Sequence, residues 1–295
     1  MMIKRKKQLR TKGEKVLYFF VYLALLSLSL FILYLFYFAL QLATKKDSIE
    51  FALHNATNKL ATWSDNFTLK HFVEAFEVLE VNGTNFWGLV GNSVIYAFGS
   101  QFLTVFIHAC TTYVICKYKF RGHKFLYNMV LITMMIPIYG SMPSAYRAYK
   151  LIGIYDNWGI LLTALSGFNG GNFLILYAFW KGVSWEYAES AFIDGASNVN
   201  VFFRIMLPLV LPAASVIFLT GFIGHWNEYM SVALFMPSLP TISYGLYIYE
   251  QVMKYKANLP ALFSGVLIAT LPCLTLFLLF QNTLMQTVHF GGLKG

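Results

Sequence analysis

Charge is the scarcest property of this sequence. Only 12% of its 295 residues are Asp, Glu, Lys or Arg, about half of the roughly 25% usual in a soluble domain. Hydrophobic residues make up 58% and mean hydropathy is +0.58. That balance excludes an ordinary soluble enzyme and a disordered chain. Cysteine is scarce too. Cys110, Cys116 and Cys273 are odd in number, lie in apolar runs and match no metal-binding spacing, so they read as buried small hydrophobes. HExxH, CxxC and paired-histidine patterns are absent, so no metal site is expected. The dipeptide Gly-Lys does not occur, which rules out the phosphate-cradling loop GxxxxGK[ST]. If ATP powers this protein, another chain must bind it.

What is abundant is long apolar runs. A helix needs roughly 20 mostly apolar residues to cross a bilayer. Residues 16–40 carry no charge. That stretch is far longer than the 7–15 apolar residues of a secretory signal, and no small-residue cleavage site closes it. It is expected to be an uncleaved helix. Further runs fall at 92–116, 124–146, 157–181, 209–233 and 261–287. The expectation is an all-α membrane protein with six transmembrane helices. The segment 41–91 forms an outer loop, and 92–287 is a core of five helices.

The few charges orient these helices. Lys4, Arg5, Lys6, Lys7, Arg10, Lys12 and Lys15 precede the first run. Lys117, Lys119, Arg121 and Lys124 lie between the second and third. These two segments hold eleven of the 22 basic residues. The 41–91 loop instead carries Asp47, Glu50, Asp65, Glu74, Glu77 and Glu80 against Lys45, Lys46, Lys59 and Lys70. The positive-inside rule then puts both termini in the cytoplasm. The net charge of +9 is therefore a topology signal, and a nucleic-acid partner is not expected.

Breaking and polar residues cluster inside the runs. Pro137, Gly140 and Pro143 interrupt the third, Gly167, Gly170 and Gly171 the fourth, and Pro272 the sixth. Backbone breaks in lipid survive only where protein or a water-filled cavity re-supplies hydrogen bonds, and transporters place them at binding sites. Small-residue packing is the alternative. Asn169 and Asn172 sit beside those glycines and could bond a polar solute or a neighbouring helix. Together with Tyr139 and Asn227 they are the candidates for lining a solute path. His108 is expected to make an interhelical hydrogen bond. Glu228, in His225-Trp226-Asn227-Glu228, must be paired or wet.

The loop from Trp180 to Pro212 reads WKGVSWEYAESAFIDGASNVNVFFRIMLPLVLP. Ser184 is placed to cap a helix over 185–194. Gly195 supplies a left-handed turn. Ser197 or Asn198 caps a second helix over 199–206, and Pro208 and Pro212 restart the chain into the membrane. Ala188 and Ala191 make one side of the first helix small, so that another protein could approach its backbone.

Here the sequence resembles a family. Glu189-Ser190-Ala191-x-x-x-Gly195, then nine residues, then Ile205-x-Leu207-Pro208 is similar to the EAA loop of bacterial ABC importer permeases. Asp194-Gly195-Ala196 continues the match. Ser190 replaces an alanine, and Ser184 stands where the family usually has proline. Leu151-Ile-Gly-Ile-Tyr-Asp-Asn157, Trp226-Asn227 and Phe290-Gly-Gly-Leu-Lys-Gly295 resemble segments of the MalG-like carbohydrate-uptake group. The resemblance implies a type I importer permease fold in the bacterial cytoplasmic membrane. It implies a second, paralogous permease, two ATPase subunits that carry ATP and Mg, and an extracellular solute-binding protein. This chain itself would bind no cofactor and catalyse no reaction. Residues 182–208 would form the ATPase-coupling loop, with Glu189, Ser190, Ala191, Asp194, Gly195, Ile205, Leu207 and Pro208 as its residues. The tail 288–295, through Gly291, Gly292, Lys294 and Gly295, would also reach the ATPase. The alternatives are an ABC permease for amino acids or peptides and a stand-alone secondary transporter.

Overall fold

Backbone amides in hydrocarbon have no water to bond, so a chain this apolar must pair them along its own helices. The computed structural model describes residues 12–45, 67–136, 140–168, 170–256 and 258–291, and these residues are almost all helical. In chain order the helices are α1 (Lys12–Ala43), α2 (Lys70–Val78), α3 (Phe86–Lys117), α4 (His123–Met135) and α5 (Met142–Leu151). A 3-10 helix (Trp158–Leu165) precedes α6 (Gly170–Gly182), α7 (Glu186–Ile193) and α8 (Asn198–Val201). A π-type turn (Phe202–Met206) leads into α9 (Leu207–Asn227), followed by α10 (Met230–Phe235), α11 (Ile242–Lys256) and α12 (Leu259–Gly291). The chain divides into two compact units, residues 1–75 with 256–267, and residues 76–255 with 268–295.

In the smaller unit, α1 is apolar all round and exposed along residues 13–37, the pattern of a helix surrounded by lipid. Its two serines hide their hydroxyls by bonding back to their own helix, Ser27 to Ala24 O at 2.9 Å and Ser29 to Leu25 O at 2.8 Å. The segment expected to be a plain outer loop carries α2. His71, buried on this helix, bonds Lys45 O at 2.8 Å through Nε2 and Glu74 at 2.7 Å through Nδ1. Hydrogen bonds from His71 and Lys70 hold the Glu74 carboxyl below its ordinary range.

In the larger unit α3 is the axis. The Asn85 side chain caps it by accepting from Gly88 N at 3.0 Å. Its 32 residues rise about 48 Å at 1.5 Å each, more than enough to cross a bilayer. The helices α9, α6 and the 3-10 helix pack along it. At Gly221 on α9 a Cβ would collide with the carboxamide of Gln101 on α3. Close approach of this kind is what small residues allow between membrane helices.

Among the described residues, four helices are long and apolar enough to cross a membrane: residues 13–43, 86–117, 198–227 and 259–282. A fifth is the pair Trp158–Leu165 and Gly170–Gly182, bent by 49°. The structure therefore differs from the sequence expectation in the third run, which is two short helices, α4 and α5. The break falls where Gly140 takes φ +73° and Pro143 sits in the first turn of α5. The fourth run is likewise not one straight helix, because Gly170 takes φ +71° at the bend. Hydropathy counts apolar content and is blind to such breaks.

One staple ties the later spans. The Trp226 indole N–H donates to Ala269 O at 3.0 Å, on the turn of α12 that Pro272 interrupts. Trp226 itself is 2% exposed. Trp226→Phe loses the donor and also the second ring of the buried indole, so it should cost about 0.6–1 kcal/mol for the hydrogen bond and at least about 1 kcal/mol more for the space left behind. A drop of a few degrees in the thermal midpoint of the detergent-solubilised protein would register it. An unchanged midpoint would mean that Ala269 O gains nothing from the indole.

Candidate functional site

The acidic hairpin after α6 is built by local capping chemistry. Ser184 Oγ accepts from Glu186 N at 3.3 Å. Glu186 and Glu189 lie in the first turn of α7, where carboxylates favour the helix dipole. At the other end Gly195 takes φ +81°. Its N–H bonds Phe192 O at 3.0 Å and the next amide, Ala196 N, bonds Ala191 O at 2.9 Å. This pair of bonds is the Schellman helix stop, and it needs a residue that tolerates the left-handed region. Ser197 then caps α8 by accepting from Asn200 N at 3.4 Å.

Beyond this point the sequence expectation of a second short helix and a restart at proline is corrected. The helix α8, the π-type turn and α9 run on as one span over residues 198–227. Pro208 falls in the first turn of α9 and has no N–H to donate. The preceding amide, Leu207 N, reaches five residues back to Phe202 O. That wider turn makes room for the proline ring, which would otherwise strike the carbonyl four residues earlier. Ile205, Leu207 and Pro208 therefore sit on the junction between hairpin and span.

The small side of α7 is also corrected. Ala188 is fully buried and Ala191 is 7% exposed, both in this chain's own core with Trp180, Tyr113, Val201, Met206 and Val210. Small side chains let the chain's own helices close on α7. The outward side is Tyr187, Glu189, Ser190, Ile193 and Asp194, with Ile193 at 86% exposure.

The hairpin is clamped to α3 by aromatic contacts that sequence reasoning did not single out. The Trp180 indole donates to Ala109 O at 3.2 Å. Its ring lies 4.9 Å from that of Tyr113, which in turn lies 4.9 Å from Phe202. Tyr118 meets Trp185 at 5.7 Å and its hydroxyl donates to Asn198 Oδ1 at 3.2 Å. Lys117, the last residue of α3, donates its ammonium to Val183 O.

A second feature lies between α3, the 3-10 helix and α9. It is a cavity of about 200 Å³. From α3 it is lined by Tyr96, Ser100, Thr104 and His108, a polar row at every fourth residue and so on one face. Thr163 and Ser166 face it with Ile160 and Ala164, and His225 closes it from α9. His108 Nδ1 lies 2.6 Å from Thr104 O of its own helix, and His225 meets the Tyr96 ring edge-on at 5.6 Å. Glu228 is paired, accepting from Ser231 N at 2.9 Å.

Of the sequence candidates for the solute path, Asn172 and Asn227 are among the described residues. Asn227 is exposed and bonds back to Ile223 O at 2.8 Å. Asn172 is half-buried on the first turn of α6 and does not line this cavity. Tyr139, Asn169, Gly292, Lys294 and Gly295 lie outside the described residues, and Gly291 is the last residue of α12. The resembling segment at 151–157 proves to be a structural latch. Asp156, at φ +57°, accepts from Ser238 N at 2.8 Å and from Ser238 Oγ at 2.7 Å.

Long apolar helices with interrupted partners, a polar cavity among them and an acidic hairpin clamped at one edge define a membrane transport subunit. The chain belongs to the family described as binding-protein-dependent transport system inner membrane component, which matches residues 109–289. It is a multi-pass protein of the cytoplasmic membrane and a permease of the ABC importer class. It is similar to the maltodextrin transport system permease protein MdxG of Bacillus subtilis (strain 168), 29% identical over 84% of this chain and 88% of that protein. It is also similar to the galactooligosaccharides transport system permease protein GanQ of the same organism, 28% identical over 63% of this chain and 66% of that protein. The crystal structure of a bacterial ABC transporter involved in the import of the acidic polysaccharide alginate shares the fold. The TM-score is 0.71 at 16% identity, over 94% of this chain and 99% of that one.

Proposed function

We propose that this chain is one of two permeases in an ATP-driven importer for an oligosaccharide, and that the hairpin at 182–208 is where a separate ATPase subunit docks. The observation that carries the coupling role is the division of α7 into two sides. Ala188 and Ala191 are locked into the permease core while Tyr187, Glu189, Ser190, Ile193 and Asp194 face outward. A helix held this way transmits a push to α3 and α9 and does not yield to it. The relatives named for maltodextrin and galactooligosaccharides support the carbohydrate reading. On this reading six spans place both termini and the hairpin in the cytoplasm. Closure of the ATPase dimer around ATP then swings the cavity from inward-facing to outward-facing, and the extracellular binding protein delivers the solute. The C-terminal residues Gly291, Gly292, Lys294 and Gly295 add to the ATPase contact.

The test is charge reversal on the outward side. Glu189→Lys should leave the chain in the membrane and reduce uptake by the reconstituted importer at least tenfold, with ATP hydrolysis no longer stimulated by loaded binding protein. Glu189 is exposed, so its replacement should not unfold α7. Wild-type uptake by this variant would sink the docking assignment. Copurification of an ATPase chain with the wild-type permease separates this reading from a stand-alone secondary transporter.

A further inference from the structure

The cavity between α3, the 3-10 helix and α9 has walls of mixed character. Ser100, Thr104, Thr163 and the Tyr96 phenol supply hydroxyls, and Ile160 and the Tyr96 ring supply apolar surface. Among the described residues no Asp, Glu, Lys or Arg lines it, and its nitrogen-bearing side chains are the imidazoles of His108 and His225. Hydroxyls in the middle of an apolar span are retained where a polar or watery space receives them. Thr163 bonds back to Ile160 O at 2.7 Å, which leaves its oxygen lone pairs directed to a second partner. Water at about 30 Å³ per molecule would fill the cavity with roughly seven molecules, a volume close to one sugar ring. A pyranose matches such a wall on both counts, because its C–H face lies on apolar or aromatic surface and its hydroxyls both donate and accept. A uronate does not match, because a carboxylate here would meet no fixed positive charge and would be costly to desolvate.

We infer that this cavity is a subsite for one neutral sugar unit inside this chain's own helix bundle, and that it discriminates against acidic sugars. The inference rests on the carbohydrate reading of the transporter and adds the location, size and charge class of the site.

The test uses the complete importer in proteoliposomes, with its second permease, ATPase and binding protein. The neutral probes are radiolabelled maltotriose, galactotriose, arabinotriose and diacetylchitobiose, and the acidic probe is a mannuronate trisaccharide. Thr104→Val with Thr163→Val removes two hydroxyls at constant shape. For the neutral probe that the wild type carries, kcat/KM should fall about tenfold or more, and Thr104→Ser with Thr163→Ser should restore transport. A second readout needs no turnover. With Cys110, Cys116 and Cys273 replaced by alanine, Thr163→Cys should react with N-ethylmaleimide, and the neutral sugar should slow the reaction at least threefold while the mannuronate trisaccharide should not. Wild-type kcat/KM in the double valine variant overturns the subsite, as do unprotected labelling, absence of labelling, and equal protection by the mannuronate trisaccharide. If the wild-type importer carries none of the sugars, the carbohydrate reading fails and the subsite fails with it. Sugar uptake indifferent to these changes sinks the subsite alone.

Discussion

Gly195→Pro is expected to abolish ATP-driven uptake while the chain still inserts in the membrane. Gly195 sits at φ +81°, whereas proline holds φ near −65°. Proline also lacks the N–H that here bonds Phe192 O. The Schellman stop would be lost, and with it the bond from Ala196 N to Ala191 O that turns the chain from α7 into α8. The outward residues Glu189 and Asp194 would then leave their fixed position relative to α9. Gly195→Ala makes the graded comparison. It keeps the N–H and costs roughly 1–2 kcal/mol for a left-handed residue with a Cβ. No atom crowds the position, so the alanine variant should assemble and retain part of its transport. Both are read by uptake and by binding-protein-stimulated ATP hydrolysis in the same vesicles. Full uptake by the proline variant would show that the shape of this turn does not carry the coupling.

The hairpin was legible because caps are local. Gly195 and Ser197 act within three residues of themselves, and the chemistry that nominates them in the sequence is what holds them in the structure. Ser184 is one residue early, because the N-cap is Trp185, and its hydroxyl accepts from Glu186 N in the turn before it. The side of α7 that faces the core was not legible in the same way. Periodicity puts Ala188 and Ala191 on a shared side. Only the distant Tyr113, Trp180 and Val210 decide that this side is inward. The long apolar spans were legible, but their continuity was not. Window hydropathy passes over the broken backbone near Gly140 and Gly170, and over the π-type turn that merges two expected helices into one. The cavity was half legible. Tyr96, Ser100, Thr104 and His108 repeat every four residues within an apolar run, a signal that averaging over the run conceals. Thr163 and His225 join them from segments more than fifty residues away, and only the packed bundle brings them together.

That packing depends on close approaches between helices, and Gly221→Val is expected to be strongly destabilising in the larger unit. A side chain at 221 would enter the space of the Gln101 carboxamide, which is 2% exposed and donates from Nε2 to Ile217 O at 2.8 Å. Overpacking costs about 1–3 kcal/mol, and a buried amide pushed off its partner costs about 1–3 kcal/mol more. A total of roughly 3 kcal/mol or more should appear as low accumulation in the membrane and early thermal unfolding in detergent. Gln101→Ala removes the group that is struck, so Gly221→Val with Gln101→Ala should recover much of the loss, a departure from additivity expected of residues in contact. If the two changes simply add, the carboxamide is not what fixes the spacing of α3 and α9. The consequence reaches both candidate sites. The helix α9 begins at the hairpin junction and carries His225 of the cavity wall in its last turn, and Gly221 lies between them. A rise in the α3–α9 distance would loosen the clamp on α7 and open the cavity together. In the recovered double variant, restored stability with impaired uptake would therefore mean that transport needs this close approach itself, and not merely a folded chain.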